Sequence, residues 1–278
     1  MNTERTDPAT SQELLASSYG LRQQYGWRGY RRGRVTDLLF DLRLTFNLGY
    51  RALVRGAARM PTRRVKVASV DVPTRRNDLE RVLRTLKTTR HMVSVSLAPL
   101  GNRGKFENIN LALRDVDLDP VDWLVVVDDD VALPPCFLDH FIYASEAASL
   151  RISQPAHRFH SYTTWEVTQR MWNSLVHTTR FVECGPLTAF HRDVFRHLLP
   201  FPETRSGWGL DVIWGEIARR EGFRVGIVDA TPVAHLRPVA QAYDVSAAIS
   251  EAEQLMRRFD VCRSNREILK TTAVLTRL

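Results

Sequence analysis

Lysine is almost missing from this chain. Of its 39 basic residues only Lys66, Lys87, Lys105 and Lys270 are lysines, and the rest are arginine. Guanidinium groups bind phosphate through two donors at once, so the bias and the formal charge of +8 suit anionic ligands or surfaces. A compositional preference of the genome accounts for the same excess, and both explanations stay open. Cysteine is scarce as well: Cys136, Cys184 and Cys262 are odd in number, far apart and form no C-x-x-C pair. That excludes a disulfide framework and a structural zinc site, and it suits a reducing cytosolic setting. No uncharged run approaches the ~20 residues that span a bilayer. The start, Met1 to Pro8, is polar and lacks the apolar stretch of a secretory signal. The expected location is the cytoplasm, with attachment to the cytoplasmic face of a membrane as the one extension left open. Repeats and low-complexity tracts are also lacking.

The chain of 278 residues, 44% hydrophobic and 25% charged, is long enough for one large domain with extensions. Residues 1–63 read as an N-terminal extension that opens with a disordered tail over 1–12. Ten arginines fall between Trp27 and Arg64, against only Asp37 and Asp41. Leu39, Leu42, Phe46, Tyr50, Leu53 and Ala57 recur at three- and four-residue steps, the period of one helix face. Arg51, Arg55 and Arg59 form a ladder on another face. Such a basic amphipathic helix over 35–60 either lies in an anionic membrane interface or packs its stripe on the main domain.

Residues 64–240 read as the main domain and 241–278 as a helical closing segment. Val65 to Val72 is a strand ending at Pro73-Thr74, and Asn77-Asp78 reads as the N-cap of a helix carrying Leu79, Val82 and Leu86. A strand over 92–97, a helix over 105–113 and a strand over 123–127 follow. Strand–helix alternation of this kind marks an α/β sheet whose ligands bind beyond the carboxyl ends of its strands. Pro73-Thr74 and Asp128–Asp130 then share one edge. Later come a helix from Phe137 to Leu150, a strand over 225–228 and a helix over 247–259.

The chemistry concentrates at Asp128-Asp129-Asp130, directly after the apolar run Trp123 to Val127. Three like charges at the end of a buried strand repel one another unless a cation or ligand fills the gap. Oxygen donors at this density suit Mg²⁺ or Mn²⁺, an ion commonly shared with phosphates. His235 follows a strand and precedes Leu236-Arg237-Pro238; it is either a further metal ligand or a core histidine bonded to a backbone carbonyl. Asp211 follows the turn Ser206-Gly-Trp-Gly and opens a helical pattern. It reads either as a helix-capping carboxylate or as a general base, with Trp208 as an apolar surface beside it. Arg75, Arg76, Arg103 and Lys105 are basic residues near the expected pocket mouth, and Arg103-Gly-Lys105 is the best phosphate-binding pair among them.

Taken in order, these segments resemble GT-A glycosyltransferases, similar to glycosyltransferase family 2. The resemblance runs over roughly residues 65 to 240 and rests on VKVASVDVPTR (Val65–Arg75), NRGKFENINLAL (Asn102–Leu113), Asp128–Asp130, ECGPLTAFHRDVF (Glu183–Phe195) and Gly207–Asp211 with Trp214. It implies a mixed, mainly parallel sheet flanked by helices, and transfer of a sugar from a nucleoside-diphosphate donor to a hydroxyl of a glycan or lipid-linked acceptor. Pro73, Thr74, Arg75, Arg103, Lys105, Asn108, Asp128 and Asp129 would then line the nucleotide pocket. Asp128, Asp130 and His235 would hold the metal, Gly185 and Trp208 would face the acceptor, and Asp211 would act as base in an inverting reaction. Asp128 or Asp129 instead hydrogen-bonds the ribose in a second arrangement of the triplet. The chain departs from the family where many members carry Glu-Asp: here Leu210-Asp211 leaves a single carboxylate. A nucleotidyltransferase shares the same metal-diphosphate logic. A haloacid-dehalogenase-like phosphatase fits poorly, because Asp130 is followed by Val-Ala rather than Gly-Thr. A non-catalytic membrane- or nucleic-acid-binding protein explains the arginines but not the acidic strand end, and nucleic acid is not an expected partner.

Overall fold

The computed structural model describes residues 21–238, 244–261 and 265–278. The expected N-terminal tail lies outside them. Two helices come first, α1 (Leu21–Thr45) and α2 (Leu48–Arg59), separated at Phe46-Asn47. Asn47 caps α2 by accepting from Tyr50 N at 3.1 Å. The single stripe expected over 35–60 is therefore split. Leu53 and Ala57 are buried against the body, while Leu39, Leu42 and Phe46 are half or more exposed. Periodicity survives a helix break when the linker is short, which is why the sequence pattern read as continuous.

The main sheet begins with β1 (Arg64–Asp71), followed by α3 (Arg76–Lys87), β2 (Met92–Pro99), α4 (Lys105–Leu113) and β3 (Trp123–Val127). The first helix of this set starts at Arg76, and its cap position is Arg75 without a side-chain bond, not Asn77-Asp78. Asp78 lies instead in the first turn, where its carboxylate bonds Arg81 and Arg237. Then follow β4 (Val131–Ala132), α5 (Phe137–Ala147), β5 (Leu150–His157), β6 (Val176–Thr179), β7 (Leu187–His191), α6 (Leu210–Arg220), β8 (Arg224–His235), α7 (Val245–Arg258) and β9 (Thr271–Leu275). The sheet runs β2-β1-β3-β7-β5-β8-β6-β9, with β4 paired to β8. It is mixed, as expected: β2, β1 and β3 are parallel, β5 and β8 are parallel, and β7 is antiparallel to both β3 and β5. β9 adds a strand to the edge, so the closing segment is not purely helical.

Each face of the sheet carries its own core. Along β3, Leu124 and Val126 join one cluster and Trp123, Val125 and Val127 the other. Both faces of β3 are covered, which is why its sequence is a continuous apolar run rather than an alternating one. On the first face Phe106, Phe190, Phe201 and Trp214 form an aromatic group with ring centroids 4.9–5.7 Å apart. Such pairs add ~0.5–1.5 kcal/mol each beyond their buried area. They lock α4, α6 and β7 together beneath the site.

Two features aim the strand ends. Parallel pairing of β1 with β3 (Ala68 opposite Val126) brings Val72 and Asp128 to one edge. β4 pairs antiparallel with the end of β8, setting Val131 opposite His235, and Leu236 N donates to Asp130 O at 2.9 Å. A residue far along the chain is thus brought beside the acidic triplet by two short ladders.

Candidate active site

A cavity of about 560 Å³ opens at this edge. Its lining includes Arg75, Arg103, Lys105, Asn108, Asp128, Asp129, Asp130, Gly185, Trp208, Asp211 and His235. Pro73 and Thr74 are not among the lining residues; they form the 3₁₀ turn behind, and Val72 and Arg75 face the cavity in their place. Pro73 and Thr74 are both exposed on the turn itself.

The three carboxylates have separate partners. Asp128 pairs with Lys105 Nζ at 2.7 Å, and Lys105 also donates to Cys184 O at 2.9 Å. Asp129 meets Arg237 at 3.1 Å and, more loosely, Arg75 at 3.8 Å. Asp130 lies 3.2 Å from His235 Nε2. Burial and the neighbouring Asp130 charge raise the Asp129 pKa against the pull of the two arginines. Burial also pushes Asp130 upward, but the hydrogen bond and charge of His235, with Arg237, outweigh it and leave the group below the usual carboxylate range. His235 is raised, because Asp130 and the other carboxylates overcome its own burial.

Asp128, Asp130 and His235 each offer a ligand atom, all within 4.8 Å of one another. Two carboxylate oxygens and an imidazole nitrogen on one concave wall fit a divalent ion such as Mn²⁺. The backbone makes room for this: a Cβ on Gly185 would sit 3.0 Å from Asp128 Oδ2. Gly104, just before α4, passes so close to the 204–205 backbone that a Cβ would meet Thr204 O at 2.1 Å.

Asp211 also lines the cavity, from the first turn of α6. Gly207 (φ 80°) and Gly209 (φ 86°) are in the left-handed region that glycine tolerates, and they turn the chain sharply into the helix. Asp211 is buried, and its Oδ1 accepts from Val212 N at 2.9 Å. Burial raises its pKa to about 7, helped by the nearby Glu183 charge and opposed by backbone hydrogen bonds. A solvent-facing helix cap would not be shifted this way.

Trp165 and Arg237 line the cavity without having been assigned to the site, and Glu183, which comes into question as a base in place of Asp211, lines it beside the buried His157. Glu183 Oε2 lies 3.1 Å from His157 Nε2, and Gln154 accepts from Glu183 N. His157 ends β5 while Glu183 follows β6, so no local pattern joins them. Arg237 had a usable signal: in extended chain it projects to the same side as His235, two positions earlier.

No family model matches the sequence, and no curated protein matches it significantly. Similarity appears only among solved structures. The GalNAc-T7 structure with UDP, GalNAc and Mn²⁺ aligns over 72% of this chain and 50% of its own, at 9% identity and a TM-score of 0.45. Thus the chain spans about half the length of that protein. Staphylococcus aureus TarS, in complex with UDP-GlcNAc, aligns over 77% of this chain and 68% of its own, at 12% identity and a TM-score of 0.49. The catalytic domain of Drosophila β1,4-galactosyltransferase 7 aligns over 69% and 81%, at 12% identity and a TM-score of 0.44. Each of these likenesses lies at 12% identity or less and below a TM-score of 0.5.

Proposed function

We propose that the protein is a metal-dependent glycosyltransferase that moves a sugar from a nucleoside diphosphate to a hydroxyl acceptor with inversion. The observation that carries this reading is one cavity lined by two kinds of acid. A metal-ligand trio, Asp128, Asp130 and His235, shares it with a buried Asp211 whose proton affinity is near neutrality. A divalent ion held by the trio would act as a Lewis acid on diphosphate oxygens and offset the charge that grows on the leaving group.

The remaining steps belong to side chains. Arg75, Arg103 and Lys105 supply positive charge along the donor side, and Asn108, bonded to Arg103 at 2.9 Å and to Leu100 O at 2.8 Å, stiffens that wall. Trp208 and Gly185 bound the acceptor side. The acceptor oxygen attacks the anomeric carbon as the bond to the diphosphate breaks, and the diphosphate keeps that electron pair. Asp211 takes the hydroxyl proton. A base with affinity close to the working pH is best matched to this task.

The test is a panel of UDP-, GDP- and dTDP-sugars titrated by calorimetry with and without Mn²⁺, followed by product analysis with hydroxyl acceptors. Metal-dependent binding and release of nucleoside diphosphate are expected. Absence of binding by every donor overturns the reading, and release of pyrophosphate assigns a nucleotidyltransferase instead.

A further inference from the structure

Helix α1 turns both of its carboxylates into the protein, and from Val35 onward its outward side is apolar. On the inner face Asp37, 2% exposed, accepts from His160 Nδ1 at 2.6 Å, from the backbone N–H groups of Phe159 and His160, and from Arg170 at 3.2 Å. Asp41 meets Arg170 and Arg158, both at 2.8 Å. Arg170 also lies over the Phe40 ring at 5.2 Å. A Cβ on Gly33 would come within 2.6 Å of the 159–160 backbone, so the helix seats directly on that segment.

On the outer face Val35, Leu38, Leu39 and Leu42 follow the i, i+3, i+4, i+7 spacing of one stripe; Phe46 and Leu48, at the break after the helix, are exposed as well. Each is 50% exposed or more. Trp27 (71% exposed) lies at one end of the helix, and Trp172 (56%) packs edge-on to Phe40 at the side. Arg28, Arg31, Arg32, Arg34 and Arg43 flank the stripe, and none of them forms an ion pair among the described residues. Both acids of the helix are consumed on the inner face.

We infer that this face of α1 is a docking surface for an anionic lipid bilayer, with Val35, Leu38, Leu39 and Leu42 entering the headgroup–acyl boundary and the flanking arginines meeting lipid phosphates. The inference does not depend on the catalytic reading. Charge decides the occupant. A second copy of the chain would set one arginine-flanked stripe against another, with no outward acid to pair them. An anionic surface complements every one of those charges, and exposed tryptophan at the margins suits a boundary that is apolar on one side and wet on the other. No helix among the described residues is long and apolar enough to cross a membrane, so contact is along the surface.

The test is co-sedimentation of the full chain with vesicles of phosphatidylcholine alone and of phosphatidylcholine with phosphatidylglycerol. Recovery with the anionic vesicles, and loss of it at about 0.5 M salt, are expected. Leu39→Glu with Leu42→Glu should reduce partitioning about tenfold or more, and so should Arg31→Glu with Arg32→Glu, which changes no apolar residue. Equal binding by both double variants overturns the proposal. So does wild-type protein left in the supernatant with every vesicle, or a concentration-dependent dimer in light scattering that Leu39→Glu abolishes, which would assign the face to a second copy.

Discussion

Replacing Asp211 by Asn should make the protein a worse enzyme and a more stable one, and the stability gain should depend on pH. An aspartate with an ordinary pKa of 3.8 that reaches about 7 on folding is held where its charge is unwelcome. Between those values the folded state binds a proton that the unfolded state has released. Stability therefore falls as pH rises through the window, and above pH 7 the full cost is present. The distance from 3.8 to about 7 corresponds to a ceiling of about 4 kcal/mol. Relaxation and water entry reduce this, so a gain on the order of 1–3 kcal/mol at pH 8 is the working figure. Asn keeps the oxygen that accepts from Val212 N, so the turn into α6 survives. The assay is denaturant unfolding of wild type and Asp211→Asn at pH 4 and pH 8, where only the difference between the proteins matters, because other titrating groups cancel. At pH 4 the two should nearly coincide. Transfer by the variant should fall by ~10²–10⁴ in kcat with donor affinity almost unchanged. A variant no more stable than wild type at pH 8, or one equally stabilised at both pH values, refutes the electrostatic account. A folded variant with near-wild-type turnover removes Asp211 from the chemistry.

Three further outcomes follow from neighbouring parts of the molecule. Asp130→Ala and His235→Ala should each weaken Mn²⁺ binding at least ~10-fold in calorimetry while circular dichroism is retained, since each removes one of three ligand atoms. Asp37→Ala should cost about 3–5 kcal/mol in denaturant unfolding, because it removes one of the two carboxylates on Arg170, whose side chain is 3% exposed, and strips the acceptor from His160 and two backbone N–H groups. Gly104→Ala should destabilise by ~1–3 kcal/mol, since its Cβ would strike the backbone at Thr204 and Arg205 rather than a side chain that can rotate.

What could be read in advance follows from how local each signal is. The strand 123–127 and the helix 105–113 were legible to the residue, because burial on both faces writes an unbroken apolar run and an amphipathic turn pattern writes its own limits. Asp128–Asp130 was legible because charge directly after such a run is costly. Asp211 was visible through its glycine turn, but its buried environment was not, since that comes from Glu183 and from packing contributed by distant segments. The start of α3 was misplaced because Asn77 and Asp78 look like caps, whereas the turn at Pro73–Arg75 feeds directly into the helix. The N-terminal stripe left two readings open for a different reason. Periodicity reports that a helix has an apolar side, and it cannot say whether protein or solvent meets that side.

The loop from Arg158 to Arg170 has two duties at once. Its ends, Arg158, His160 and Arg170, grip Asp37 and Asp41 of the first helix, and its middle supplies Thr164 and Trp165 to the cavity wall. The N-terminal helices are therefore not a detachable leader. A protein shortened to begin at the first strand would strip Arg170 of both its carboxylates and would free the wall that carries Trp165. Loss of activity after such a truncation would report a collapsed pocket as readily as a lost membrane tether. Point changes on the outward face of the helix are the cut that separates anchorage from catalysis.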